Sequence, residues 1–270
     1  MYYCKISDAS GGIVFKNIVE TLSSQMSSMY LCILTDTVEI SGVDMAHVSV
    51  VSISLFSSCF STFHKLEPDR PIHIHISLEQ LKKVLRACNN DDVLSIIVEN
   101  KGDNTVIFQF ENNLRCHAFT LTMLDIEEDS IDVPKLEYNT VVQLPANGFR
   151  HLIDELCVMD SEAVQFVSTT EDLTLTTNDV ACNSSVILKN SSQDIIISWK
   201  DDVSVKISLP KIKSYSVLSK LCSNVQVHIS EDFPALLYYK FVREIETDEK
   251  GKKEMQIIGE GRCHIAPMID

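Results

Sequence analysis

Apolar residues recur at every second position through most of the chain, as in "VLSIIVEN" (93–100), "NTVIFQFEN" (104–112), "HAFTLTML" (117–124), "DLTLTT" (172–177), "DIIISW" (194–199), "VSVKISL" (203–209) and "NVQVHIS" (224–230). β-branched residues at period two predict strands with one face in a core, so most of the chain should be antiparallel sheet. The run "ISGVDMAHVSVVSISLF" (40–56) keeps the same period, yet Asp44 and His47 interrupt it with groups that a core strand does not welcome.

Four segments switch to helical spacing. Residues 12–26 place Phe15, Ile18, Val19, Leu22 and Met26 on one stripe, and residues 78–88 do the same with Leu78, Leu81, Leu85 and Cys88 behind a Ser77-to-Gln80 capping box. Residues 147–159 carry Phe149, Leu152, Ile153 and Leu156 after Asn147 as a cap, and residues 210–222 open on Pro210 and carry Ile212, Tyr215, Leu218 and Cys222. One apolar stripe each predicts helices that lie on sheets with their other faces free.

The first and third of these segments start about 135 residues apart and the second and fourth about 132, close to half of the 270-residue chain. Similar strands follow the second and fourth, "DDVLSIIVEN" and "SNVQVHISED". The spacing predicts an internal duplication: an α+β protein of two tandem, similar domains, each of antiparallel sheet with two helices. Between the halves lies "DIEEDSIDVPKLEY" (125–138), with five acidic residues in its first eight and then a proline, the composition of an exposed connector. The expected boundaries are a domain over 1–124, a connector over 125–139 and a second domain over 140–270.

Composition narrows the setting. Hydrophobic residues make up 45% of the chain, enough to fill a core. No basic stretch followed by an apolar run opens the sequence, and the apolar runs near 48–56 and 195–199 fall short of the roughly 20 residues that span a bilayer; neither secretion nor membrane insertion is expected. Nine scattered cysteines without a CxxC pair fit reduced thiols in a cytosolic or nuclear compartment. "HIH" puts His73 and His75 on one strand face, and Cys116 adjoins His117, but no further ligand completes a metal site. Walker A, GxSxG and GxGxxG motifs are absent, so neither an enzyme nor a cofactor is expected.

Five segments in order resemble the DNA sliding clamps of the proliferating cell nuclear antigen (PCNA) type. "GVDMAHVSVVSISL" is similar to the family's Asp-x-x-His-Val-Ser strand, and "LKKVLRACNNDDVLSI" to its second helix and the acidic turn after it. "IDVPKLEYNTVVQLP" resembles the end of its connector and the next strand, while "DFPALLYYKF" and "APMID" resemble its last strands and tail. The resemblance implies a closed ring of three two-domain subunits around duplex DNA, sheets outside and helices lining the hole. Such a ring is a processivity factor that tethers polymerases and repair proteins and is loaded by a clamp loader. A nuclear location is implied, or a viral replication site for a viral member. A subunit of a heterotrimeric checkpoint-type clamp and a viral clamp-like accessory protein are the alternatives.

Carried over by position, the DNA-facing residues are Lys16, Lys82, Lys83, Arg86, Arg150, His151, Lys211, Lys213 and Lys220. The four helical segments sum to 0, +2, −1 and +3; together they carry +4 against a whole-chain charge of −15, which leaves −19 elsewhere. Positive charge concentrated on the helices would meet phosphates without reading sequence. The family carries more basic residues on its first and third helices, and here Asp154 takes one of those positions. The peptide-docking pocket implied by the resemblance would use Val43, Asp44, His47, Val48 and Val50, then Ile131, Val133, Pro134 and Tyr138 from the connector, then Pro234, His264, Ala266 and Pro267. Asp44 and His47 would form its rim, and His264 replaces a family tyrosine. The resemblance also pairs strand 115–123 of one subunit with strand 180–188 of the next. Residues 246–254 are expected to form a polar hairpin turn.

Overall fold

The computed structural model describes residues 3–8, 12–89, 91–125, 136–170, 172–178, 182–190, 194–246 and 253–268. In chain order the first elements are β1 (Cys4–Asp8), α1 (Ile13–Ser23), β2 (Ser28–Ile33), β3 (Thr37–Val43), β4 (Ser49–Phe56), β5 (Phe60–Lys65), β6 (Ile72–Ser77), α2 (Leu78–Leu85), β7 (Val93–Val98), β8 (Thr105–Glu111) and β9 (Cys116–Thr122). The same order then recurs as β10 (Thr140–Pro145), α3 (Ala146–Leu156), β11 (Ala163–Ser168), β12 (Asp172–Asn178), β13 (Asn183–Lys189), β14 (Ile196–Trp199), β15 (Val203–Ser208), α4 (Leu209–Ser216), β16 (Cys222–Ile229), β17 (Ala235–Glu246) and β18 (Lys253–Ile265). Two compact units result: unit 1 holds Met1–Met45, Ser52–Ile131 and Arg243–Gly259, and unit 2 holds Ala46–Val51, Asp132–Val242 and Glu260–Asp270.

In unit 1 the strand orders are β5-β1-β7-β8-β9 and β4-β3-β2-β6, the latter with β4 from Ser52 onward. In unit 2 they are β14-β10-β16-β17-β18 and β13-β12-β11-β15, with β17 ending at Val242 and β18 starting at Glu260. Adding nine to each strand number of the first pair gives the second. Backbone contacts repeat as well. Leu124 N–H donates to the His75 carbonyl at 2.7 Å in unit 1, and Met268 N–H to the Lys206 carbonyl at 2.8 Å in unit 2. Leu78 N–H reaches the Ser27 carbonyl at 2.9 Å, and Leu209 N–H the Glu162 carbonyl at 3.1 Å, so each second helix starts from the same anchor.

The apolar stripes explain the helices. Phe15, Ile18, Val19 and Leu22 are buried in α1, as Phe149, Leu152, Ile153 and Leu156 are in α3. α1 packs against α2, and α3 against α4. The Phe15 ring lies 6.2 Å from Phe108 on β8, which seats α1 on the five-stranded sheet of unit 1. Pro210 occupies the first turn of α4, where its missing N–H costs nothing.

Several local expectations need correction. Ser77 is the N-cap of α2 but makes no side-chain cap bond; α3 starts at Ala146 after Pro145, so Asn147 is not its cap. α4 ends at Ser216 and continues as a 3-10 turn over Val217–Leu221, whose similar residue spacing preserves the stripe, while Cys222 already opens β16. Residues 40–56 are not one strand. β3 ends at Val43 and β4 begins at Ser49; His47, at φ 55, takes the left-handed conformation in the turn between.

β9 and β13 each close a sheet order in their units, and each has one flank without a neighbouring strand among the described residues. In β13 exposed and half-buried residues alternate, while in β9 Cys116, His117 and Ala118 are all exposed and the alternation starts at Phe119. A Cβ on Gly259 of β18 would lie 2.5 Å from the Ser54 oxygen of β4, so those two strands run in close contact in unit 1. All nine cysteines are free thiols, five of them buried: Cys4, Cys32, Cys59, Cys88 and Cys263.

Candidate functional site

The helices present their polar faces unequally. Lys82, Lys83 and Arg86 are exposed along α2 and its C-terminal cap, and Lys83 pairs with Glu79 at 2.6 Å. Lys16 on α1 is half-buried and donates its ammonium to the Cys88 carbonyl just beyond α2, so this cation ties the helix pair together. In unit 2, α4 offers a half-buried Lys211 and an exposed Lys213, with Lys220 exposed on the following 3-10 turn. α3 carries half-buried Arg150 and exposed His151, then exposed Asp154 and Glu155 one turn later.

Arg115 is a further cation at the end of α2 that local sequence did not flag. Its guanidinium donates to the Ala87 carbonyl at 3.1 Å and to Asp92 at 2.9 Å. The enclosed Asp92 carboxylate also accepts from Asn89 N–H at 2.8 Å and from the Asn112 amide. These donors, Asn89 foremost, hold the Asp92 carboxyl below the usual carboxylate range. The Arg115 contacts join residues 23 and 28 positions apart, so no spacing rule reveals them.

The second surface belongs to unit 2. His47 and Val48 are exposed, Val48 by 40%, and Val50 is half-buried. The Val48 carbonyl accepts from Ala266 N–H at 2.8 Å, which fixes the tail beside this turn. Ala266 and Pro267 are half-buried and Met268 is exposed. Tyr138 is buried and donates its hydroxyl to the Pro234 carbonyl at 3.1 Å; burial pushes its pKa up to about 12. In unit 1, Val43 is half-buried and Asp44 only 1% exposed, so Asp44 is an interior group and not part of a rim. Ile131, Val133 and Pro134 lie outside the described residues, as does most of 246–254.

Strand alternation assigns further members to this surface. Val225, Val227 and Ile229 of β16 face the core, so Gln226 and His228 face the other way; His264 alternates with buried Cys263 and Ile265 of β18 and is itself only 7% exposed, beneath this surface. The His228 ring meets Tyr138 edge-on at 5.2 Å, its Nε2–H donates to Gln226 Oε1 at 3.2 Å, and Gln226 donates to Gln143 at 3.0 Å. Tyr238 donates to Glu260 at 2.8 Å, and Glu260 pairs with Arg262 at 2.6 Å. Burial and then the neighbouring His264 lower the His228 pKa to about 4; burial and then Arg262 lower that of His264. The surface is thus a set of neutral rings and prolines with one ion pair, chemistry suited to apolar and aromatic side chains.

His73, His75 and His117, on other strands, are engaged in local contacts. His73 bonds the Tyr30 hydroxyl, His75 bonds Ser28 at 3.0 Å, and the His117 ring lies on Phe119. Among the described residues no three His, Cys, Asp or Glu side chains are grouped to hold a metal ion, and no helix is long and apolar enough to cross a membrane.

Comparison with known proteins agrees with this architecture along the chain. Residues 1–132 match the family "Proliferating cell nuclear antigen, N-terminal domain" and residues 132–247 its "C-terminal domain". Proliferating cell nuclear antigen of Caenorhabditis elegans is 24% identical over 278 residues, covering 100% of this chain and 98% of the relative. The Chaetomium thermophilum protein of that name is 25% identical over 233 residues, and proliferating cell nuclear antigen 2 of Drosophila melanogaster 24% over 228; each match covers 84% of this chain and 88% of the relative. The crystal structure of the Entamoeba histolytica protein superposes with a TM-score of 0.83 at 23% identity, covering 100% of both chains, and so shares the fold. Two tandem repeats with this strand order, matched by both domains of one family, make the chain a member of the proliferating cell nuclear antigen family, the DNA sliding clamps that serve as polymerase processivity factors.

Proposed function

We infer that three copies of this chain join head to tail in a ring that encircles duplex DNA and tethers replication and repair proteins through the surface around Tyr138, Pro234 and the tail. The observation that carries this reading is the pair of open edges, β9 and β13. Within the chain, β4 has β18 as its neighbour. Moved through the internal repeat, that pairing becomes β13 with β9, two strands whose outer flanks have no partner among the described residues. A junction of the same kind between copies satisfies both edges. Because it uses two different surfaces, it propagates head to tail and ends only when a ring closes. The number three comes from the family.

The protein acts as a scaffold. Lys82, Lys83, Arg86, Lys211, Lys213 and Lys220 meet phosphates, so binding is indifferent to sequence and weakens with salt. Partners insert apolar or aromatic anchors of a short peptide against Val48, Tyr138, Pro234 and Pro267, with connector residues Ile131, Val133 and Pro134 completing the site. A nuclear site of action accompanies this role.

Light scattering on the eluting protein tests the ring, with a trimer expected; a stable monomer at micromolar concentration refutes self-assembly. Protein placed on closed circular DNA should stay bound until the circle is cut, and retention after linearisation argues against topological linkage.

A further inference from the structure

The two helices of unit 2 oppose each other in charge. α4 and its 3-10 extension expose Lys213 and Lys220 and half-expose Lys211, with no carboxylate among them. α3, packed against α4, exposes Asp154 and Glu155, and neither carboxylate has an ion-pair or hydrogen-bond partner among the described residues. The turn after α3 exposes Val158 by 70%, an apolar side chain that cannot contact a phosphate. Burial pushes the Cys157 thiol pKa up, Lys213 pulls it down, and Asp154 and Asp160 push it up again. Asp154 and Lys213 therefore act on one thiol with opposite sign, beside the packing of α3 on α4.

Unit 1 differs. The single carboxylate on α2, Glu79, is occupied by Lys83, which leaves Lys82 and Arg86 unopposed on the same helix. On α1, Lys16 is tied to the Cys88 carbonyl and Glu20 is exposed. Exposed positive charge is thus concentrated on the second helix of each repeat.

We propose that α2 and α4 hold the duplex, and that Asp154 and Glu155 on α3 loosen the hold so that the clamp stays mobile on DNA. This rests on the DNA-encircling reading above. A carboxylate within a Debye length of the phosphates, about 10 Å at 0.1 M salt, repels them and offsets part of the counterion-release gain from the lysines. Three copies would repeat the effect around the hole. A clamp needs enough attraction to sit on DNA and too little to stop there, and carboxylates among lysines provide that balance without removing a basic residue.

The test compares three assembled proteins, wild type, Asp154→Asn/Glu155→Gln and Lys82→Ala/Lys83→Ala/Arg86→Ala, on a short mixed-sequence duplex by fluorescence anisotropy from about 50 to 200 mM salt. All substituted residues are exposed, and light scattering and thermal melting check that each variant still folds and assembles. The carboxylate variant should bind about two- to fivefold more tightly at the lowest salt, the gain shrinking as screening rises. The α2 variant should bind more weakly, with a shallower dependence of log K on log salt, by about 0.9 for each phosphate it no longer neutralises. Unchanged or weaker binding by the carboxylate variant, alongside the expected weakening in the α2 variant, overturns the proposal and leaves the encircling reading standing. No change in either variant removes both.

Discussion

Acidification should weaken unit 2 through His228. The half-buried imidazole uses its Nε2–H on Gln226 and rests against Tyr138, with His264 close enough to oppose a second positive charge. Its pKa falls from 6.5 to about 4, chiefly by burial, so the folded protein keeps the ring neutral while the unfolded chain takes up a proton near the ordinary value. The resulting stability is complete above about pH 6.5 and is lost as the pH falls toward 4. Between about pH 7.5 and pH 5 the shift corresponds to roughly 2 kcal/mol, and solvent screening of a half-buried ring brings the expected loss nearer 1 kcal/mol. Urea unfolding of wild type and His228→Phe at both pH values isolates this contribution, because carboxylates that titrate in both proteins cancel in the comparison. Wild type should lose about 1 kcal/mol more than the variant on acidification. Equal losses would refute the assignment. A docked peptide packed on Tyr138 should keep its affinity over the same pH range, because the folded ring stays neutral until the pH nears 4.

Lys65 is 9% exposed and donates to three carbonyls, Ile33 at 3.1 Å, Leu34 at 3.0 Å and Pro68 at 2.9 Å. Lys65→Met should cost about 2–4 kcal/mol by urea unfolding, since three acceptors lose one charged donor; a change within about 0.5 kcal/mol would contradict that role. Gly259→Ala should destabilise by about 1–3 kcal/mol, because the new methyl meets the Ser54 oxygen. Gly102, at φ +82 with open space around it, should tolerate alanine at only the left-handed backbone cost, about 1–2 kcal/mol, so comparable losses at the two glycines with no structural change near Ser54 would dismiss the clash.

Sequence periodicity was sufficient for the repeat, because the stripe Phe15, Ile18, Val19 and Leu22 of α1 has its counterpart in Phe149, Leu152, Ile153 and Leu156 of α3, and most strands keep period two on one buried face. It failed where a backbone device left no compositional mark. The turn between β3 and β4 contains no glycine or proline, and His47 supplies the left-handed residue, so 40–56 reads as continuous. The basic positions of α2 and α4 were legible because exposed charge follows helical spacing. Lys16 was not, since its acceptor at Cys88 comes from a distant turn. The contacts of Val48 with Ala266 and of Tyr138 with Pro234 join residues that only the family resemblance had grouped. His228 and Tyr238 escaped notice because their outward placement emerges only when β16 and β17 are set in register.

The fastening of Asp92 to Asn89, Asn112 and Arg115 has a kinetic consequence. It immobilises the hairpin tip from which β9 departs, so the strand is already ordered before any neighbour arrives. An edge prepared in this way pays little further conformational entropy on pairing. In the proposed ring, copies that part at this seam would rejoin as rigid bodies, at a rate governed by encounter and orientation and not by refolding.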